Sequence, residues 1–240
     1  MKLTIVIPAY NEEAYLADCL RHVLDEVAQT AGREAIEVLV IDNASTDRTA
    51  EIARSFAGVR VAHEPDKGLT KARQRGLEEA RGEIVGYVDA DTRMPRGWCG
   101  QVIGSFAADP TTVCVSGPYV YYDLGRVSKV LVRVFWWVAV PVAALTGYMA
   151  VGGNFAARRE ALIKIGGFDR SIAFYGEDTD IARRLSAVGR VRFMLRLVMQ
   201  TSARRLKAEG LARTAAVYVL NFVSEAVLKR PATTDYRDIR

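Results

Sequence analysis

The sequence lacks the paired cysteines that a disulfide framework or a zinc site requires. Its 240 residues contain three cysteines, Cys19, Cys99 and Cys114, which are odd in number and widely separated. The apolar run from Leu3 to Pro8 is too short for a signal peptide, and no small-residue cleavage site follows it. We therefore interpret the cysteines as reduced thiols and expect a cytoplasmic protein.

Glycine-rich phosphate loops are also missing. No GxGxxG follows the first apolar run, and no GxxxxGK[ST] occurs anywhere in the chain. This argues against a dinucleotide-binding fold and against a P-loop NTPase. Nucleotidyl transfer to a sugar phosphate would need a Gly-rich, Arg-containing loop after the first strand, and residues 8–12 do not supply one. Any phosphate group of a ligand must therefore be held in another way.

The net charge of +5 is distributed unevenly. Residues 183–240 contain 13 Lys and Arg against 4 Asp and Glu, which leaves the first 182 residues with a net charge of −4. Such asymmetry suits an anionic partner such as phospholipid, lipid phosphate or nucleic acid, and a plain solvated basic face is the alternative. No nucleic-acid module is recognisable and aromatic residues are sparse among the basic ones, so we expect no nucleic-acid partner.

Short β-branched runs alternate with helical stretches, which predicts an α/β fold with a mostly parallel, buried central sheet flanked by helices. The predicted strands are Leu3–Ile7, Ile36–Ile41, Val59–Ala62, Ile84–Val88 and Val113–Ser116. The predicted helices between them are Glu12–Ala31, Asp47–Phe56 and Thr70–Ala80. In open α/β sheets the ligand crevice lies beyond the carboxyl ends of the strands.

Polar residues follow three of these strands. They are Pro8-Ala9-Tyr10-Asn11-Glu12 after the first, Asp42 to Asp47 after the second, and Asp89-Ala90-Asp91 after the fourth. Two carboxylates two residues apart at a strand end can share a hard divalent cation, Mg²⁺ or Mn²⁺, which keeps positions for substrate phosphates. The alternative for an isolated Asp-x-Asp is a turn or a helix cap.

A second acidic cluster, Gly176-Glu177-Asp178-Thr179-Asp180, precedes a helical pattern that ends at Gly189. Acidic capping of the helix is one interpretation, but a single carboxylate would suffice for it. Three carboxylates in four positions repel one another unless a cation or a proton relieves them. One of them could accept the proton of an attacking hydroxyl as a general base.

Seven motifs in a fixed order give the chain a resemblance to a known family. They are residues 5–12, residues 40–47, Gly68 with Ala72-Arg73, residues 88–91, Gly152-Gly153-Asn154-Phe155, Gly166-Gly167-Phe168 and Gly176-Glu177-Asp178. Together they resemble the family 2 glycosyltransferases, inverting enzymes with the GT-A fold. The resemblance implies a GT-A domain over residues 1–206, with a nucleotide-binding half at 1–118 and an acceptor half at 119–206, followed by a helical appendage at 207–240.

The resemblance also implies roles for individual residues. The nucleotide-binding residues would be Pro8, Ala9, Tyr10, Glu12, Asp42, Arg73, Asp89 and Ala90. The metal, Mg²⁺ or Mn²⁺, would be bound by Asp91 and, directly or through water, by Asp89. The base would be Asp178, with Glu177 as its neighbour. Gly153 and Asn154 are expected near the acceptor or a phosphate, and the donor is expected to be a nucleotide-diphosphate sugar, most naturally a UDP-sugar.

Two departures from the family pattern shape the expectations. The Gln-x-x-Arg-Trp segment of processive members is absent, and residues 201–205 stand in its place, which predicts single additions rather than a polymerase. There Arg204 and Arg205 could clamp a diphosphate or a lipid phosphate, and solvated surface arginines are the alternative. Many relatives use a histidine as a further metal ligand, but neither His22 nor His63 lies near these motifs, so we expect that ligand to be absent or replaced.

The longest uncharged stretch runs over residues 134–151, preceded by basic residues and interrupted by Pro141 and Gly147. A single membrane crossing would separate the two acidic clusters, so we expect an interfacial or acceptor-binding element at the inner face of the cell membrane. A buried core helix or a dimer contact is the alternative. A second helix, Leu211–Leu228, either packs on the domain or adds to the same surface.

The sequence therefore predicts a metal-dependent inverting transferase that acts on a lipid-linked or glycan acceptor. A catalytically silent module that binds a nucleotide sugar or a lipid phosphate and recruits a partner is the alternative. Both acidic clusters are intact, and a silent module would not need Glu177-Asp178.

Overall fold

The computed structural model describes residues 1–172, 175–228 and 232–233, in which strands and helices alternate. The strands are β1 (Leu3–Ala9), β2 (Ile36–Asp42), β3 (Val59–His63), β4 (Ile84–Val88), β5 (Thr92–Arg93), β6 (Thr112–Ser116), β7 (Tyr119–Tyr121), β8 (Asn154–Arg158), β9 (Arg190–Phe193) and β10 (Met199–Thr201). The helices are α1 (Leu16–Gln29), α2 (Thr49–Ser55), α3 (Leu69–Glu79), α4 (Trp98–Ala108), α5 (Arg126–Thr146), α6 (Arg159–Lys164), α7 (Glu177–Ser186), α8 (Arg204–Glu209) and α9 (Leu211–Leu228). A short 3-10 helix covers Arg33–Ala35.

The main sheet has seven strands in the order β3-β2-β1-β4-β8-β6-β9. β3, β2, β1 and β4 are parallel to one another, β8 is antiparallel to both β4 and β6, and β6 is parallel to β9. A second sheet joins β5, β10 and β7. The predicted α/β fold with a mostly parallel central sheet is confirmed, and each predicted strand lies within β1, β2, β3, β4 or β6.

Helices cover both faces of the main sheet, so its central strands are buried on both sides. One face packs against α1 and α4, where Leu20 and Trp98 lie in the same core cluster as Ile5 of β1. The other face packs against α3, α6 and α7, where Leu77 lies with Val6. Burial on both faces explains why these strands are continuous apolar runs rather than alternating ones.

The approach of α3 to β1 depends on one glycine. A Cβ added at Gly76 would lie 2.3 Å from Val6 Cγ1, which no real contact allows. The close approach fixes α3 against the sheet and thereby the position of Arg73, one turn earlier on the same helix.

The uncharged stretch at 134–151 does not form one surface element. Its first part belongs to α5, which begins at Arg126, continues through Pro141 and ends where Gly147 takes a left-handed conformation with φ 77°. The expected interruption at Pro141 is therefore wrong; a proline removes a single helical hydrogen bond, and this one lies on the exposed side of the helix. Beyond Gly147, Met149 and Val151 are buried.

No helix in the described part of the chain combines the length and the hydropathy that a membrane crossing requires. The predicted α9 is present with the expected bounds, Leu211–Leu228, and contacts α7 and α8. The division of the chain after residue 206 stays a prediction, and in the structure that position lies within α8. Residues 229–231 and 234–240 of the predicted appendage lie outside the described residues.

We expect Gly76→Ala to destabilise the protein by about 1–3 kcal/mol, because the added methyl group would overpack the contact with Val6. Gly100 provides the matched control, since it lies in α4 and a Cβ there would meet nothing within 4 Å. Gly100→Ala should stabilise the protein by about 0.5–1 kcal/mol through helix propensity. Urea unfolding measures both changes, and equal effects of the two substitutions would contradict the packing described here.

Candidate functional site

Three parallel strands bring the polar motifs to one edge of the sheet. β1 and β2 end in register at Ala9 and Asp42, and β4 ends next to β1, just before Asp89. Helix α7 begins at Glu177 after Gly176, which has φ 85°. The acidic clusters at 89–91 and 177–178, far apart in sequence, therefore meet at this edge.

Arg73 joins the two clusters directly. Its guanidinium donates from Nη2 to Asp89 Oδ1 at 3.2 Å, and its Nη1 is paired with Glu177 Oε1. The side chain of Arg73 is only 1% exposed and that of Glu177 is 7% exposed, so this ion pair is shielded from water, whereas Asp89 is 34% exposed. The second oxygen of Asp89 accepts a hydrogen bond from the Tyr119 hydroxyl at 2.8 Å. Although burial opposes the charge of Arg73, Glu177 and Asp89 raise its pKa above the ordinary arginine value.

Two glycines leave the space that this arrangement occupies. A Cβ at Gly152 would lie 2.6 Å from Glu177 Oε1, and one at Gly153 would lie 2.1 Å from both Asp89 Oδ2 and the Tyr119 hydroxyl oxygen. We expected Gly153 near the acceptor or a phosphate. In the structure its missing side chain makes room for the hydrogen bond between Asp89 and Tyr119.

Glu177 and Asp178 differ in their surroundings. Glu177 is buried, and desolvation, opposed by Arg73 and reinforced by Asp178, raises its pKa to about 7. Asp178 is half-buried, and its Oδ1 accepts the backbone N–H of Thr179 at 2.8 Å. Burial raises the pKa of Asp178 as well, while Arg73 and the backbone N–H groups of Thr179 and Gly152 oppose the shift. Asp178 is therefore the more accessible carboxylate of the pair.

A second guanidinium, that of Arg204, contacts the carboxylates of Glu12 and Asp91. Its Nη1 and Nη2 donate to the two carboxylate oxygens of Glu12 at 2.8 and 2.5 Å, and its Nε is 2.9 Å from Asp91 Oδ2. Thr201 Oγ1 donates to the other oxygen of Asp91 at 3.4 Å. Arg204 begins α8 and lies over the Tyr15 ring, 4.8 Å from its centroid.

The carboxylates at this edge exceed the cations that balance them. Burial raises the pKa of Asp91 to about 7; Arg204 opposes that shift, and Asp89 and Glu12 reinforce it. Desolvated carboxylate oxygens next to one another are the donors that Mg²⁺ and Mn²⁺ prefer. The described residues contain no cluster of three or more His, Cys, Asp or Glu side chains able to hold an ion. Asp89 and Asp91 supply oxygen donors of the kind such an ion prefers, and metal binding at this edge stays a prediction.

One histidine lies closer to these motifs than we expected. The pairing of β2 with β3 places His63 opposite Asp42, and His63 Nδ1 is 3.2 Å from Asp42 Oδ2. The expectation that neither histidine lies near a motif is therefore wrong for His63, because strand pairing joins residues that are distant in sequence. Nearby, Lys67 Nζ lies 4.1 Å from the centroid of the Tyr10 ring.

The other predicted site residues occupy different positions. Three of them are buried at the ends of β1 and β4, namely Pro8, Ala9 and Ala90. Arg205 pairs with Glu209 on its own helix at 3.3 Å. The role of each in binding stays a prediction.

Asn154, predicted near the acceptor or a phosphate, lies in the core with no exposed surface. Its amide donates to the carbonyls of Leu197 at 2.7 Å and Pro118 at 3.3 Å, and its Oδ1 accepts from Trp98 Nε1 at 2.9 Å. Both amide N–H groups are thus used within the core, where they tie β8 to two loops.

Sequence reasoning missed Tyr119 and Trp98 entirely. Tyr119 lies in the three-residue strand β7, and no motif surrounds it. Its contact with Asp89 spans 30 residues, and that of Trp98 with Asn154 spans 56. No local signal in the sequence identifies such contacts.

Comparison with known proteins gives a family match over most of the chain. The family described as Glycosyl transferase family 2 matches residues 4–166. The chain is 35% identical over 94 residues to glycosyltransferase GlyG of Streptococcus pneumoniae, covering 37% of this chain and 30% of the relative. It is 22% identical over 189 residues to a glucosyl-dolichyl phosphate glucuronosyltransferase of Haloferax volcanii, covering 74% and 59%. The chain thus spans less than two thirds of the length of both relatives.

Solved structures share the fold. A mannosyltransferase from Pyrobaculum calidifontis in complex with GDP-Man and Mn²⁺ has a TM-score of 0.74 and 23% identity, over 95% of this chain and 64% of that one. Glucosyl-3-phosphoglycerate synthase from Mycobacterium tuberculosis, in complex with Mn²⁺, UDP and phosphoglyceric acid, has a TM-score of 0.63 and 22% identity, over 98% and 80%. At these identities the likeness shows the fold, which is the GT-A fold.

We expect Arg73→Met to destabilise the protein by about 3–5 kcal/mol, because it leaves Glu177 buried and Asp89 partly buried without their cation. Adding Glu177→Gln to Arg73→Met should recover part of that loss. Arg75→Met is the matched control on the same helix; it removes a surface pair with Glu79 and should cost less than about 1 kcal/mol. Urea unfolding measures all three variants, and a cost for Arg73→Met as small as that of the control would contradict a buried ion-pair centre.

Proposed function

The chain belongs to glycosyl transferase family 2, and we propose that it transfers a sugar from a nucleoside diphosphate to an acceptor hydroxyl with inversion at the anomeric carbon. The observation that carries the proposal is that the guanidinium of Arg73 forms ion pairs with both Asp89 and Glu177. A carboxylate of the proposed metal site and the neighbour of the proposed base therefore contact the same guanidinium. A single displacement requires a base and a leaving-group site close enough to act on one anomeric carbon from opposite faces.

The donor would lie along the ends of β1, β2 and β4. Asp42 and Tyr10 would contact the base or the ribose, and Asp91 with Asp89 would hold Mg²⁺ or Mn²⁺. When bound, that ion supplies positive charge to the departing diphosphate. We propose UDP as the nucleotide; related structures contain UDP or GDP-Man, so both kinds of donor are the probes to compare.

Asp178 would act as the base. Its half-buried carboxylate accepts backbone N–H groups, which favour the charged form, while burial keeps its pKa above that of an ordinary aspartate. As the acceptor oxygen forms its bond to the anomeric carbon, Asp178 takes the hydroxyl proton. The bond from that carbon to the phosphate oxygen breaks, and the nucleoside diphosphate leaves with its electron pair. Attack on the face opposite the leaving group gives inversion.

We expect Asp178→Asn to lower the transfer rate by about 10²- to 10⁴-fold, the usual contribution of a positioned base. Calorimetry should show that UDP binds the variant within about twofold of wild type, because Asp178 is not among the residues proposed to contact the nucleotide. Transfer assays with UDP- and GDP-sugars measure the rate.

Asp169→Asn is the control for this substitution. Asp169 is an exposed carboxylate whose Oδ1 accepts hydrogen bonds from Ser171, and we place it outside the site. Its variant should transfer sugar at the wild-type rate. Wild-type turnover by Asp178→Asn would refute the assignment of the base, and saturable UDP binding by wild type without any sugar release would favour the silent binding module.

For the acceptor we propose a lipid-linked glycan, reached by a protein at the inner face of the cell membrane. One side of α5 supports this proposal. Exposed apolar side chains recur along it at helical spacing, and the exposed Arg126 and Arg133 flank them without any acidic residue in the helix. The apolar side chains are Val127, Val130, Leu131, Val134, Phe135, Trp137 and Leu145. The opposite side is anchored, since Trp136 Nε1 donates to Tyr119 O at 2.9 Å.

The protein should therefore sediment with vesicles in which about a third of the lipid is phosphatidylserine. Leu131→Glu should weaken that binding about tenfold or more. Ile163→Glu is the matched control, because Ile163 of α6 is exposed to the same extent, 53%, but belongs to another surface. Equal binding of the two variants would contradict a role for α5. Equally strong binding to vesicles of neutral lipid alone would contradict a contribution from the basic residues.

A further inference from the structure

Arg204 contacts Asp91, the carboxylate proposed to bind the metal ion. Its Nε lies 2.9 Å from Asp91 Oδ2, and its two terminal nitrogens grip Glu12. One guanidinium thus contacts two buried carboxylates that are 79 residues apart in sequence. A divalent cation at the same Asp91 oxygen would stand within a few ångströms of this positive charge, and like charges so close in a poorly hydrated site repel strongly.

The repulsion leaves two arrangements for Asp91. Either Arg204 keeps the carboxylate and no cation binds to that oxygen, or Arg204 withdraws from it when a cation binds. The described contacts favour withdrawal, because Arg204 has other partners within reach. The fork to Glu12 can persist, and the Tyr15 ring already lies 4.8 Å from the guanidinium carbon, where it offers a cation–π contact.

The position of Arg204 in the fold also permits movement. It is the first residue of α8, a helix of six residues that is followed by Gly210, and its side chain is 19% exposed. Arg73, by contrast, is 1% exposed and lies inside an 11-residue helix. A guanidinium that leaves Asp91 would stand beside the donor diphosphate, whose oxygens match its fork.

We propose that Arg204 is the resident counter-ion of Asp91 and that it releases this carboxylate only when a divalent cation and the donor diphosphate bind together. The inference rests on the proposed function for the identity of the second ligand. It makes the affinity for the cation alone weak in the wild-type protein. It also makes cation and nucleotide raise each other's affinity, as linkage requires.

The test measures Mn²⁺ binding through the loss of the free-ion signal in electron paramagnetic resonance, first without nucleotide and then with saturating UDP or GDP. In wild type we expect weak binding of Mn²⁺ alone and clearly tighter binding with nucleotide. Arg204→Gln should bind Mn²⁺ alone about tenfold tighter than wild type or better, because the competing charge is gone. The gain in affinity upon adding nucleotide should shrink in the same variant.

Arg205→Gln is the matched control, since it removes the same charge from the next residue of α8, whose described ion pair is with Glu209. Its Mn²⁺ affinity should stay within about threefold of wild type. Adding Asp91→Asn to Arg204→Gln should abolish the gain, which would locate the new binding at Asp91. Mn²⁺ binding by Arg204→Gln no tighter than by Arg205→Gln would overturn the proposal, because a purely structural arginine predicts unchanged or weaker binding.

Two further outcomes are distinguishable. If circular dichroism shows that Arg204→Gln does not fold, Arg204→Lys takes its place; a lysine is a single point charge that cannot span both carboxylates. That variant should bind Mn²⁺ more tightly than wild type by a smaller factor, and no gain would overturn the proposal. If wild type binds neither UDP nor GDP, the proposed function fails, while the comparison with Mn²⁺ alone still decides the role of Arg204.

Discussion

The buried ion pairs of Arg73 are the constraint on which the rest of the site depends. A guanidinium without access to water must be matched by anions, and here the anions come from the end of a central strand and from the start of α7. Because Glu177 is costly to bury without a cation and Asp89 shares that cation, the two segments hold one another in place. Gly76, Gly152 and Gly153 serve the same centre by letting backbone approach where a side chain would collide.

The two arginines of the site divide its tasks. Arg73 is enclosed and bonded to a carboxylate on each side, which suits a fixed support. Arg204 enters from a short helix late in the chain and remains partly open to solvent. The difference separates a permanent scaffold from a cation that can be exchanged. Charge balance alone would not distinguish them, since each guanidinium serves two carboxylates.

The sequence was informative where chemistry follows directly from local pattern. Buried parallel strands read as continuous apolar runs, and their polar ends mark the crevice, so the central sheet and the positions of residues 89–91 and 177–178 could be predicted. The strand β8 has two alanines and flanking Asn and Arg, and β9 alternates Arg with apolar residues, so neither resembles a buried strand. The partners of Asp42 and Asp91, His63 and Arg204, come from strand pairing and a distant helix, which local spacing cannot reveal.

The place of β8 in the sheet has a consequence for how the chain is made. β8 lies between β4 and β6, although both of those strands precede it in sequence. During synthesis the first 118 residues can align β1 to β4, but β6 has no neighbour on that side until residues 154–158 leave the ribosome and insert antiparallel to both. The two proposed halves of the chain are therefore joined at the level of the sheet, and nascent β6 needs its edge shielded until then.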